Sequence, residues 1–201
     1  MPLEVTMADY GAGNLHSLKK ALEKCGAVVK VTENMKDLAN AECIAFPGVG
    51  AFDNVMARIG GARNSIVEAI LGGTPCLGIC IGMQISAEGS EEGGLPGIGL
   101  IDGRVIKMKT DRVPQIGWNR VSSNDPLFNG IDSLLFYFAH SFVISPRDPS
   151  VVKGTTEYEK MTIPSLVRKK NFVGSQFHPE KSGISGLRFL SNFVEFAEDC
   201  L

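Results

Sequence analysis

The chain has 201 residues, 44% hydrophobic and 21% charged, enough to bury a continuous core without disulfides or metals, so one domain over residues 1–201 is expected. A formal net charge of -2 gives no electrostatic footprint for nucleic acid, and no apolar run reaches bilayer length, so neither is expected as a partner. Five cysteines follow an opening, Met1-Pro2-Leu3-Glu4, that does not read as a signal peptide. That odd number points to reduced thiols in a cytoplasm. Cys76 and Cys80 lack a second Cys/His pair at zinc spacing, so no metal or other cofactor is expected.

In chain order, residues 3–7 mix β-branched and apolar side chains and predict a strand that breaks at a glycine-rich turn over 9–14. Asn14 suits an N-cap. Leu15, Leu18, Leu22 and Cys25 then recur at helical spacing, with Gly26 where a C-terminal cap would sit. A strand over 27–31 completes a β-α-β unit. The order repeats as a strand over 43–46, a Pro-Gly turn, helical stretches to Leu71, and a buried strand over 75–79. Alternating strands and helices predict an α/β fold, flavodoxin-like, with a mostly parallel central sheet and helices on both faces. The second half predicts strands over 100–107, 116–121, 135–144 and 172–176, some pairing antiparallel, and a closing helix over 185–197. Residues 88–97 read as a polar, glycine-rich loop.

The sharpest chemical signal is Gly78-Ile79-Cys80-Ile81-Gly82, a cysteine between glycines after a buried strand and before a helical stretch. This is a nucleophile elbow with sulfur as the nucleophile, and the helix N-terminus that follows favours a thiolate. Such a cysteine needs a base, and the chain has three histidines. His178 follows a strand and has Glu180 two positions on to orient its ring, the logic of a catalytic triad. His16 and His140 are expected to be structural. The oxyanion formed by attack on an amide needs N–H donors. Ile81, and Val49 in the Pro-Gly-Val-Gly turn at 47–50, are the candidates. The glycine turn over 9–14 lacks the third glycine of a dinucleotide fingerprint, and no Walker lysine is present.

Taken together these residues resemble class I glutamine amidotransferases, and within them the glutaminase subunits of imidazole glycerol phosphate synthases of histidine biosynthesis. The motifs that carry the resemblance span nearly the whole chain. They are Asp-Tyr-Gly-x-Gly-Asn-Leu from residue 9, Pro-Gly-Val-Gly-x-Phe at 47–52, Gly-Ile-Cys-Ile-Gly-Met-Gln at 78–84, Gly-Trp-Asn at 117–119, Tyr-Phe-Ala-His-Ser at 137–141 and Gln-Phe-His-Pro-Glu-Lys at 176–181. The resemblance implies Cys80 as nucleophile, His178 as acid and base, and Glu180 as its orienter. It implies that Gln84, Glu92 and the main chain at Gly50, Ser141 and Phe142 hold glutamine. It further implies a heterodimer with a (β/α)8 barrel cyclase that receives ammonia, with Asn14, Trp118, Tyr137 and Lys181 at the interface. Two departures from the pattern are Gln84-Ile85-Ser86-Ala87, where bulkier apolar residues are common, and Gln115, where histidine is common. Two other readings fit the same residues: a paralogous subunit feeding a sugar-modifying synthase, and a non-catalytic regulatory module on the same scaffold.

Overall fold

A computed structural model describes residues 1–11, 15–48 and 50–201. The first half alternates as the spacing predicts: β1 (Glu4–Ala8), α1 (Leu15–Lys24), β2 (Val28–Thr32), β3 (Cys43–Phe46), α2 (Phe52–Ile59), α3 (Arg63–Gly72) and β4 (Cys76–Ile79). A one-turn helix, α4 (Ile81–Gln84), then leads into β5 (Ala87–Ser90). The second half carries β6 (Ile101–Lys107), β7 (Gln115–Arg120), β8 (Ser122–Ser123), β9 (Leu135–His140), β10 (Phe142–Pro146), β11 (Val152–Tyr158), β12 (Met161–Lys169), β13 (Phe172–Ser175) and α5 (Gly183–Glu198). Gly26 ends α1 at φ +96°, a region open to glycine. The Asn14 cap lies outside the described residues.

The main sheet runs β2-β1-β3-β4-β13-β12-β11-β8. Its first five strands pair parallel in the doubly wound order, and β12, β11 and β8 extend it antiparallel. Strand periodicity divides the core between the two faces. In β3, Cys43 and Ala45 join a cluster with Leu18 and Leu22 of α1 and Phe189 and Phe193 of α5. Ile44 and Phe46 join a second cluster with Phe52 and Val55 of α2 and Ile66 and Ile70 of α3. Helices therefore cover both faces, as the alternation predicts.

Two expectations need correction, and one hairpin was not expected. The apolar run at 135–144 is two strands. β9 pairs with β7 and β10 with β6, in separate sheets, and the chain changes sheet at Ser141, whose carbonyl accepts the Met108 N–H at 2.9 Å. The loop expected at 88–97 begins as strand, with β5 pairing parallel to β6, and its remainder is pinned where Asp53 accepts the Gly94 and Leu95 N–H groups. The β11–β12 hairpin is absent from the sequence reading because its first arm is polar and its second contains Pro164. That proline is tolerated because β13 pairs only with Leu166 to Lys169, so Pro164 lies beyond the end of that neighbour.

An aromatic block sits between α5 and the antiparallel strands. Phe136 and Phe177 have ring centroids 4.3 Å apart, Phe177 and Phe189 5.1 Å, and Phe128 and Phe189 5.4 Å. Phe177 immediately precedes His178, so this block fixes the segment that carries the candidate base. Phe189→Ala empties a fully buried position and is expected to lower unfolding free energy by about 3–5 kcal/mol. Urea denaturation followed by circular dichroism measures it.

Candidate active site

The elbow has the strained geometry its glycines predict. Cys80 adopts φ +50° and ψ -104°, a region side chains avoid. The turn closes because its flanks carry no side chain. A Cβ on Gly78 would lie 2.4 Å from the Gly82 carbonyl oxygen, and one on Gly82 would lie 2.2 Å from that of Phe46. The Cys80 N–H donates to the Ser175 carbonyl at 2.7 Å, tying the elbow to the end of β13. Ile81 opens α4, so its N–H is among those that helix geometry leaves without an intrahelical acceptor. The second oxyanion candidate, Val49, lies outside the described residues.

His178 is brought over the elbow from β13. Its ring packs on Gly48, where a Cβ would lie 2.7 Å from Cε1. The Pro-Gly turn thus makes room for the imidazole. The His178 N–H donates to the Tyr137 carbonyl at 2.8 Å, while Ser182 Oγ accepts the Tyr137 N–H at 2.9 Å and donates to the His178 carbonyl at 2.6 Å. These bonds stitch the turn to β9. Pro179-Glu180-Lys181 forms one tight turn that folds the Glu180 side chain back, placing Oε1 2.8 Å from His178 Nδ1. The other ring nitrogen is left for Cys80, which stands close enough to act on the proton affinity of the ring. Burial alone would lower the His178 pKa. The interactions with Cys80 and Glu180, and their charges, override it and raise the pKa from 6.5 to about 10. A protonated ring beside sulfur is the partner a thiolate nucleophile needs. By contrast, burial pushes the Cys43 and Cys76 thiols up, which makes them inert core residues. All five cysteines are free.

Gly48, Cys80 and Ile81 line a cavity of about 370 Å³, and so do all five positions expected to hold glutamine: Gly50, Gln84, Glu92, Ser141 and Phe142. Several of their polar atoms are already engaged. Gln84 Nε2 donates to the Phe142 carbonyl at 2.8 Å and to Gln176 Oε1 at 3.2 Å. Both of its N–H bonds are used, so Oε1 is the atom left for a ligand. Glu92 Oε2 accepts the Phe52 N–H at 3.0 Å and so satisfies the first turn of α2.

His140, on the cavity wall, is structural as expected. Its Nδ1 lies 3.0 Å from the Phe142 carbonyl oxygen and its Nε2 2.9 Å from the Gln115 side-chain oxygen, while Gln115 Nε2 is buried without a partner among the described residues. Burial, opposed by the Phe142 carbonyl and reinforced by the His178 charge, lowers the His140 pKa from 6.5 to about 4. The neutral ring donates once. With Nδ1–H on the carbonyl, Nε2 must accept, so the Gln115 amide belongs a half-turn round with its NH2 on His140. That rotation satisfies the orphan donor as well. The departure at position 115 therefore has a specific partner.

Beside the triad, β7 and β9 expose Ile116, Trp118 and Leu135, at 67%, 57% and 43%. Trp118 meets Tyr137 edge-on at 6.2 Å, Lys181 Nζ lies 5.9 Å from the Tyr137 ring, and Tyr137 meets His178 at 6.5 Å. Three of the four interface candidates thus form one patch at the site, and Asn14 lies outside the described residues. Among the described residues there is no metal-binding group of three or more His, Cys, Asp or Glu side chains, and no helix long and apolar enough to cross a membrane. Gln176 was missed as a site residue. Its signal was present, since a fully polar side chain stands at the buried end of a strand.

A cysteine on a strand-to-helix elbow, with a histidine and carboxylate in the turn after the neighbouring parallel strand, stands at the crevice of a doubly wound sheet. The family model for class I glutamine amidotransferases matches residues 6–196, and the chain belongs to that family. It is 40% identical to the imidazole glycerol phosphate synthase subunit HisH of Trichodesmium erythraeum, over 94% of this chain and 93% of that one. It is 42% identical to the HisH subunit of Acinetobacter baylyi, over 96% and 98%. The structure of PurLQS from Thermotoga maritima superposes with a TM-score of 0.74 over 98% of this chain and 99% of that one, at 20% identity. That likeness is one of fold.

His178 gains its proton affinity on folding, so its contribution to stability is complete below about pH 6.5 and is lost as pH rises toward about 10. Glu180→Gln is expected to flatten that alkaline decline, measured as unfolding free energy between those two pH values.

Proposed function

We propose that the chain is the glutaminase subunit of an imidazole glycerol phosphate synthase, a single domain acting in the cytoplasm. One observation carries the chemistry: Cys80, at the wall of a cavity of amino-acid size, has beside it a buried histidine ring whose Nδ1 lies 2.8 Å from the Glu180 carboxylate. The relatives named above support the choice of pathway.

The chemistry follows from that geometry. The Cys80 thiolate attacks the side-chain carboxamide carbon of glutamine, forming a C–S bond. The N–H groups of Ile81 and Val49 meet the oxyanion. Protonated His178 gives its proton to the departing nitrogen, which leaves as ammonia. Water, deprotonated by the now neutral ring, then attacks the thioester and releases glutamate and the thiolate. Glu180 keeps Nδ1 protonated and the ring aligned throughout. Gly50, Gln84, Glu92, Ser141 and Phe142 line the site for the amino-acid end, and no metal or cofactor enters the reaction.

The ammonia recipient is a (β/α)8 barrel cyclase that makes imidazole glycerol phosphate and an aminoimidazole carboxamide ribonucleotide (AICAR). Exposed Trp118 and Ile116, with Tyr137 and Lys181 beside the triad, form the surface such a partner would cover. Glutamate release should be weak for the chain alone and should rise when the cyclase and its nucleotide ligand are added. Cys80→Ala should reduce it by roughly three orders of magnitude or more. Activity that ignores the histidine-pathway cyclase but responds to a sugar-amidating synthase would reassign the recipient. Failure with every partner would favour the non-catalytic reading. Trp118→Ala should weaken cyclase binding by about 2 kcal/mol, as truncation of a buried aromatic anchor does, measured by titration calorimetry with wild-type protein as the reference.

A further inference from the structure

Gln176 is fully buried, and burying a primary amide is costly unless both of its ends are bonded. Both are. Its Oε1 accepts from Gln84 Nε2 at 3.2 Å, and its Nε2 lies 3.5 Å from Cys80 Sγ. The direction of this chain is fixed by one group that cannot reverse. The Phe142 carbonyl can only accept, so the amide end of Gln84 that faces it at 2.8 Å must be NH2. The second hydrogen of that NH2 meets Gln176, whose facing atom must then be oxygen. The end of Gln176 turned to sulfur is therefore its NH2. A backbone carbonyl 62 residues from Cys80 in sequence thus dictates that a donor points at the nucleophile.

We propose that Gln176 is a further catalytic residue of this site, donating an N–H to Cys80 Sγ and stabilising the anionic sulfur both before attack and as it departs from the thioester. The proposal deepens the glutaminase reading and rests on it. Hydrogen bonds to an ionised acceptor are about twice as strong as those between neutral groups, so the bond strengthens when sulfur carries charge. No bond is made or broken by Gln176; it gives up no proton. The other groups near the same sulfur are the His178–Glu180 pair from the segment after β13 and the Ala139 carbonyl of β9, 3.9 Å from Sγ, with neutral His140 and Glu92 on the same cavity wall. Gln84 acts through Gln176 and is a positioning residue, which accounts for the commitment of its NH2.

The test reads Cys80 directly and needs no glutamine, so it separates this inference from the assignment of substrate. Iodoacetamide alkylation of the full-length chain, read at the Cys80 peptide by mass spectrometry because Cys25 and Cys200 are also free and partly exposed, is followed against pH for the native protein, Gln176→Leu and Gln176→Glu. Gln176→Leu keeps the volume and removes the donor, and the midpoint of its profile should move up by about one pH unit, the shift that loss of one modest charge-assisted bond gives. Gln176→Glu keeps an acceptor for Gln84 but sets a carboxylate against sulfur, and its midpoint should move further. In the complex with the cyclase, kcat should fall at least tenfold with KM for glutamine little changed. Folded variants whose alkylation profiles coincide with the native one would overturn the proposal. Should either variant fail to fold, the side-chain amide proton resonances of Gln176 in the native chain give the same answer. They should titrate together with Cys80 alkylation and shift in Cys80→Ala, and resonances indifferent to both would overturn it.

Discussion

The elbow at Cys80 is the constraint from which the rest of the site follows. A cysteine at φ +50° is held there by three close approaches: Gly78 against the Gly82 carbonyl, Gly82 against the Phe46 carbonyl, and the Cys80 N–H on Ser175. Each involves the end of a parallel strand, β3, β4 or β13, so the strain is sustained by the central sheet. Those same strand ends deliver the other parts. β3 runs into the Pro-Gly turn on which His178 rests, and β13 runs into Gln176, Phe177 and His178. The site stands at the carboxyl ends of neighbouring parallel strands, where doubly wound folds open a crevice.

Two histidines a short distance apart are driven to opposite protonation states by what each faces. Burial lowers the pKa of both. His178 then meets a carboxylate and a sulfur that can carry charge, and becomes a cation. His140 meets a carbonyl and an amide, dipoles too weak to repay desolvation of a charge, and stays neutral. The charge on His178 further disfavours one on His140. The candidate base is thus selected by its partners, since burial is common to the pair.

The polar groups around the cavity are more committed to one another than a row of substrate ligands would be. Gln84 orients Gln176, Gln115 accommodates His140, and Glu92 caps α2. Such networks hold the Cys80 side of the cavity in place because each member is satisfied only in one orientation. The β7–β9 ribbon is their counterpart outside. It joins the network through Gln115 and His140 at one end and exposes Trp118 further along, placing an exposed aromatic next to Tyr137 and the His178 turn.

What the sequence determined by itself is what short spacing encodes. Apolar alternation with periods of two and 3.6 marked the strands and helices of the first half. Glycines two residues either side of Cys80 marked the elbow, because a turn that tight admits no side chain there. Histidine and glutamate two apart marked the ion pair that stands beside Cys80. Tertiary structure alone decided the rest. The run at 135–144 is largely apolar and reads as one strand, and only its two different partner strands divide it at Ser141. The first arm of the β11–β12 hairpin is polar and its second is interrupted by Pro164, and its place follows from pairing with β13. The bond between Gln84 and Gln176 joins residues 92 apart in the chain, and no local pattern could announce it. Sheet order brings such side chains together, and the direction of their hydrogen bonds follows from a carbonyl that can only accept.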